Sequence, residues 1–384
     1  MRVNLLSWKK DSGWAPADDA VAAPQLVFYF GSRPELQSAE GYDGLRRMFP
    51  EAHILGCSTG GQIRNDEVFD DEIVAVAVAF ERTTIRLAWE EIASVDQSRA
   101  CGAAIGAKLK APDLAGIFVL SDGLSVNGSG LVAGITSVVG NDIPLTGGMA
   151  GDGDAFSATV VGADFPPRGQ VAAAVGFYGP AIRIGHGSAG GWDQFGPRRR
   201  ITRSAGNVLY ELDGEPALDL YERYLGEEDA KGLPSTALVF PLRVFEPDRP
   251  DHDIVRTILA VDRDTRSMTF AGDMPQGWTA QLMRGNFDRL AAGAAAAARQ
   301  SQDAASRMDR AGDELAVLVS CIGRRLLMGQ SVVDEVEAAG VEFGDRVPRI
   351  GFYSYGEISP HSVSGICQLH NQTMTITTIA EAAA

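Results

Sequence analysis

The chain has 384 residues, 45% of them hydrophobic, and a mean hydropathy of −0.03, which describes a globular protein too long for one ordinary core. Lys and Arg number 34 against 50 Asp and Glu, a formal net charge of −16 that repels a polyphosphate backbone and an anionic lipid surface alike, so nucleic acid is not an expected partner. No apolar run approaches the roughly 18 residues of a membrane span, the start lacks a signal-peptide core, and the four cysteines have no Cys-x-x-Cys spacing, so the expectation is a cytoplasmic protein with reduced thiols and no zinc site.

From Gln25 the chain reads as a strand (Leu26 to Phe30), a polar turn (Gly31-Ser32-Arg33-Pro34), a helix through Leu45 to Phe49, a second strand from His53, and a Gly-rich turn from Gly56 to Ile63. The same punctuation returns at Gly116 to Leu120, Ser121-Asp122-Gly123, a helix from Gly130 to Val139, and a turn opening at Gly147. It returns again at Leu315 to Val319, Ser320 to Gly323, a helix from Val332 to Ala339, and a turn opening at Gly351. Two strands joined by a helix should lie parallel with a right-handed crossover, because a hairpin cannot join parallel strands, which predicts a mixed, largely parallel α/β fold built from repeated strand-helix-strand units. Open α/β sheets place ligands at the carboxyl ends of their strands, which is the physical reason to join the three turns into one site.

Other runs read as antiparallel additions. Glu72 to Phe80 and Thr84 to Trp89 suggest a hairpin about Glu81-Arg82-Thr83, Val171 to Tyr178 and Ala181 to Gly185 another about Gly179-Pro180, and Thr257 to Val261 and Met268 to Gly272 a third. Gly, Pro and Arg accumulate between Gly190 and Leu212, ahead of a helix at Ala217 to Leu225, and the domains are drawn as 1–205 and 206–384. An Ala-rich helix is expected over Ala280 to Met308, with Met283, Phe287 and Leu290 as its buried stripe.

Several short motifs lack the context their chemistry needs. Gly56-Cys57-Ser58-Thr59-Gly60 matches a nucleophile elbow but leads into a strand where a helix is required. Gly185-His186-Gly187-Ser188-Ala189-Gly190 has dinucleotide-fingerprint spacing but is followed by Gly191-Trp192, which cannot start the helix that holds a pyrophosphate. Asp152 and Asp154 suggest calcium, yet Ala163 stands where the loop needs its bidentate Glu.

The densest chemistry lies between Gly351 and Thr373, where Phe352, Tyr353, Tyr355, Glu357, His370, Asn371 and Gln372 fall between two apolar runs. Aromatics beside convergent polar groups are what small-molecule sites are made of. With Gly56-Cys-Ser-Thr-Gly-Gly-Gln-Ile, Thr146-Gly-Gly-Met-Ala-Gly-Asp-Gly, Gly206-Asn-Val-Leu-Tyr-Glu-Leu-Asp-Gly, Leu282-Met-Arg-Gly-Asn and Leu369-His-Asn-Gln-Thr-Met-Thr, the stretch Gly351-Phe-Tyr-Ser-Tyr-Gly-Glu-Ile resembles the FIST proteins over nearly the whole chain. The resemblance implies a FIST N-terminal region followed by a FIST C region in a sensory module of signal transduction. Such a module binds a small ligand such as an amino acid, and its partner is a histidine kinase or a cyclic-di-GMP enzyme.

The candidate pocket is lined by Ser58, Thr59, Asp122, Gly148, Asp152, Tyr353, Tyr355, Glu357, His370 and Asn371, with Glu357 or Asp122 meeting a ligand ammonium and the glycine turns offering N–H groups to a carboxylate. No cofactor is expected. A haem-binding nitric-oxide sensor of the NosP type, ligated by His186 or His370, is one alternative, and a hydrolase using Ser58 or Cys57 with His370 is another.

Overall fold

The computed structural model describes residues 1–15, 21–38, 40–305 and 310–383. Three units carry the predicted parallel pairs: Leu26–Gly31 with His53–Ser58, Leu114–Ser121 with Leu145–Met149, and Arg310–Cys321 with Arg349–Ser354. The strands read as continuous apolar runs because both faces are covered, and Leu26–Gly31 and Arg349–Ser354 are buried at every position.

Beyond its parallel pair each sheet is antiparallel. Ile73–Ala79, Val171–Tyr178 and Met374–Ala382 lie beside the first strands of the three units, and Arg2–Lys9, Thr84–Glu91 and Ile182–Ala189 lie outside them. The class is mixed α/β as expected, but parallel pairing is confined to the heart of each unit. Two expected hairpins are crossings between sheets. Ile73–Ala79 pairs with Arg2–Lys9 while Thr84–Glu91 pairs with Val171–Tyr178, and that strand in turn shares no ladder with Ile182–Ala189, which joins Met374–Ala382. A tight polar turn looks the same in sequence whether the chain folds back or crosses over. The third hairpin forms as predicted, Ile258–Asp262 with Ser267–Phe270.

The units exchange strands in a ring. Gln62–Arg64, just after the first unit's turn, pairs with Arg349–Ser354 of the third. Gly356–Pro360, after the third unit's turn, pairs with Leu145–Met149 of the second, and Val161–Ala163, after the second unit's turn, pairs with His53–Ser58 of the first. Aromatic contacts fill the space the three sheets enclose: Phe30 lies 4.5 Å from Phe352 and Phe28 4.9 Å from Phe118, between ring centroids.

A fourth sheet of eight strands spans Asp193–Arg284 and has its own core about Leu209, Leu220, Val244, Phe270 and Leu282. The chain enters it at Gly190-Gly191 and leaves at Gly285. Thr279–Arg284 is therefore a strand, and the Ala-rich helix begins only at Phe287 and runs to Ala305; the predicted tail Ser306 to Met308 lies outside the described residues. Of the predicted stripe, Met283 sits on the strand, Phe287 is exposed, and Leu290 is buried. The helix Ala217–Leu225 falls where expected.

In the second unit, Gly128–Val139 is capped by the Asn127 side chain, which accepts from the Gly130 N–H at 2.9 Å, and crosses Ser98–Leu109 closely. A Cβ on Gly134 would lie 2.1 Å from the Arg99 carbonyl, and one on Gly102 would lie 2.2 Å from that of Leu131. Gly134→Val is expected to force the helices apart at a cost of roughly 1–3 kcal/mol, read as a lowered urea midpoint at unchanged slope. An unchanged midpoint would show that the crossing tolerates side chains.

Candidate functional site

The three Gly-rich turns meet at the carboxyl ends of the parallel strands and close a ring of backbone hydrogen bonds. Gly60 N–H donates to the Tyr353 carbonyl at 2.8 Å, Gly151 N–H to that of Ser58 at 2.9 Å, and Tyr355 N–H to that of Met149 at 3.3 Å. In every turn the donor stands two residues after the acceptor, so the three links are equivalent. Two of the glycine amides expected to meet a ligand carboxylate, those of Gly60 and Gly151, are taken up by the ring. The ring also places two cavities side by side at its mouth.

The polar cavity, about 640 Å³, is lined by Thr59, Asp152, Asp154 and Asp70 together with Arg33 and Arg325. Burial works to raise the Asp152 carboxyl, but hydrogen bonds from the Ala158 amide, the Tyr355 hydroxyl, and the Ser157 hydroxyl and amide outweigh it and hold the group below the usual carboxylate range. Arg33 Nε stands 3.8 Å from Asp152 Oδ2. Arg325 donates to the Gly60 carbonyl and to Asp70, with its guanidinium 5.3 Å from the Tyr353 ring centre. Opposite charges thus face one space.

Next to it runs an apolar groove of about 570 Å³ between the ring and the fourth sheet, walled by Leu124, Phe156, Leu238, Leu259 and Leu326. Its enclosed end, about 170 Å³, reaches Tyr355, Met149, Cys321 and Ile322. Leu326 and Asp154 border both the polar cavity and the groove, and Phe156, Leu124, Leu238 and Leu259 border both the groove and its enclosed end, so the spaces adjoin one another. Tyr355 stands at the junction, stacked on Phe156 at 4.6 Å and 12°, with its hydroxyl donating to Asp152. Burial, first, and then Asp152 push its phenol well up, so it remains a neutral donor.

Of the predicted residues, Thr59, Asp152 and Tyr355 come together here. The others lie behind or away from the site. Asp122 accepts from the Leu124, Ser125 and Gln170 amides and shapes its own turn. Ser58 is fully buried with its Oγ accepting from Val160 N–H, Gly148 is packed between Val319 and Gly356, and Tyr353 donates to Glu335 at 3.0 Å. Glu357 is fully buried and accepts from Ser354 and Thr373, while Asn371 is fully buried with neither end of its amide hydrogen-bonded. Cys57 is fully buried and burial pushes its thiol well up, which makes it a poor nucleophile.

The histidines separate as well. His370 lines a different cleft of about 570 Å³, with His361, Trp192, Arg243 and Arg289, and its Nε2 lies 3.0 Å from the Ser359 carbonyl. His186 sits on the strand Ile182–Ala189, opposite Thr377, and burial lowers its pKa. Arg33, Arg325, Phe156 and Leu326 escaped sequence reasoning. A signal existed for the arginines, since each closely follows the polar turn at the end of a first strand, in Ser32-Arg33 and Ser320-Cys-Ile-Gly-Arg-Arg325.

Comparison with known proteins places this geometry in a family. The FIST N domain family matches residues 25–215 and the FIST C domain family matches residues 217–360. The chain belongs to the FIST family. FIST domains are sensory domains of signal transduction. The FIST chain is similar to the uncharacterized protein MJ1623 of Methanocaldococcus jannaschii, 28% identical over 198 residues, which covers 48% of this chain and 36% of that protein's length. Among solved structures it is similar to cyanuric acid hydrolase from A. caulinodans, at 13% identity and a TM-score of 0.19, covering 78% of this chain and 100% of that one. Among the described residues no FIST helix is long and apolar enough to cross a membrane, and no cluster of three or more His, Cys, Asp or Glu could hold a metal ion.

Proposed function

We propose that this FIST protein is a cytoplasmic sensor whose ligand has a charged, zwitterionic head and an apolar body, as an amino acid does, and that a partner such as a histidine kinase or a cyclic-di-GMP enzyme receives the signal. One observation carries the reading: a cavity of mixed charge lies beside an apolar groove at the ring of turns, with Asp154 and Leu326 lining both. Arg33 and Arg325 suit a ligand carboxylate, Asp152 with Asp70 and Asp154 an ammonium, and the groove an apolar side chain. Ligand seated there touches all three units and the fourth sheet at once, which gives binding a route to a change of shape.

Calorimetry of the wild type against an amino-acid panel is the test. One or more members bind, and Asp152→Asn and Arg325→Gln each weaken that binding at least about tenfold, the loss of one charge-assisted hydrogen bond. Absence of binding by the wild type, or binding by both variants as tight as that of the wild type, sinks the reading.

The haem alternative fits these residues less well. The Nε2 of His370 is engaged within its own hairpin by Ser359, and His186 lines none of the cavities described above. Purified protein mixed with haem is expected to show no Soret shift.

A further inference from the structure

The enclosed end of the apolar groove, at about 170 Å³, is close in size to an apolar cavity of about 150 Å³ that takes up benzene. Its walls are mostly apolar, with Met149, Phe156, Leu238, Leu259, Phe270 and Ile322 among them. One polar side chain of its lining nevertheless lacks a partner. Thr257 lines the cavity, is 5% exposed, and its hydroxyl makes no hydrogen bond. Because Oγ1 and Cγ2 share one Cβ, a turn about χ1 exchanges which of them faces the cavity.

A buried hydroxyl without a partner destabilises the empty state, and a ligand that supplies the missing hydrogen bond removes that penalty. The missing partner is a neutral one. The nearby cation, Arg256, is buried with its guanidinium donating to the carbonyls of Asp273 at 3.1 Å and Leu369 at 3.0 Å, so it is already committed, and a charged ligand group placed here would be desolvated without a counter-ion.

We infer that the inner end of the groove is a subsite for a benzene-sized apolar group bearing one neutral hydrogen-bonding substituent, of which a phenol ring is the simplest, and that Thr257 determines this specificity. The inference rests on the ligand-binding reading above and refines it.

The test titrates the full chain with phenol and with benzene by ligand-detected NMR. Phenol binds about five- to tenfold tighter than benzene, the difference one hydrogen bond makes. Thr257→Val, of nearly the same shape and relieved of the unpaired hydroxyl, stays folded, keeps its benzene affinity and brings the ratio to about one. Ala271→Phe, which fills the cavity, abolishes both. Equal binding of the two probes by the wild type, or a preference that survives Thr257→Val, overturns the subsite. Failure of either probe to bind while the amino-acid panel still does also overturns it, and leaves the sensory reading standing.

Discussion

Replacing Glu357 with Gln is expected to make the protein more stable at pH 8 while leaving it nearly unchanged below pH 4.5. Burial, the largest influence, pushes the Glu357 carboxyl from a glutamate's ordinary 4.5 up to about 8, although the Ser354 and Thr373 hydroxyls and the Thr373 amide pull the other way. The folded state therefore holds a proton that the unfolded chain has released, so stability falls as pH rises from 4.5 to 8. Integrated over that window the loss is on the order of 5 kcal/mol. Gln reproduces the protonated acid: its amide can donate to Ser354 Oγ, whose hydroxyl donates on to the Ser320 carbonyl at 3.2 Å, while its carbonyl keeps the Thr373 donors. Urea melts of both proteins across pH 4 to 9 read the difference directly. Parallel stability curves would mean that Glu357 is ionised in the fold.

Arg324→Met is expected to cost roughly 3–5 kcal/mol, because it strands a carboxylate where no water reaches. Arg324 and Glu335 are both fully buried and joined by two hydrogen bonds of 2.9 and 2.6 Å, and the guanidinium also donates to the carbonyls of Gly190 and, at 2.8 Å, Leu290. The Gly190 carbonyl lies where the chain enters the fourth sheet, and the Leu290 carbonyl lies in the first turn of the helix Phe287–Ala305 that follows its exit. Trp192 completes the joint, donating to the Gln372 carbonyl at 2.7 Å. A double variant, Arg324→Met with Glu335→Leu, should recover most of the loss, since no charge is then left unpaired. If its urea midpoint falls as far as the sum of the two single changes, the pair is not acting as a coupled unit.

The repeated units were legible because their signal is local: apolar runs broken by polar turns at similar spacing mark Leu26 to Phe30, Gly116 to Leu120 and Leu315 to Val319 alike. The meeting of the turns followed from the geometry of parallel strands. What the sequence hid was non-local. Nothing in Gln62-Ile63-Arg64 says that its partner is Arg349–Ser354, and no periodicity shows that Tyr178 and Ile182 face different sheets. Polarity is ambiguous as well. Asp122, Glu357 and His370 look like ligand contacts because such groups are seldom buried, but here backbone amides, hydroxyls and a carbonyl occupy them. The arginines that do face the cavity looked ordinary, one beside a proline and the other inside a helix.

The exchange of strands among the units has a consequence for biosynthesis. Gln62–Arg64 leaves the ribosome long before Arg349–Ser354, the strand whose edge it completes. Until that edge is made, the nascent first unit carries an unpaired strand and an uncovered aromatic interior around Phe30, whose neighbour Phe352 is also still to come. The first sheet has all its strands once Val161–Ala163 is made and the fourth once Thr279–Arg284 is, whereas the second waits for Gly356–Pro360 and the third for Met374–Ala382, so a ribosome stalled between them would present chaperones with two sheets whose edges are still open.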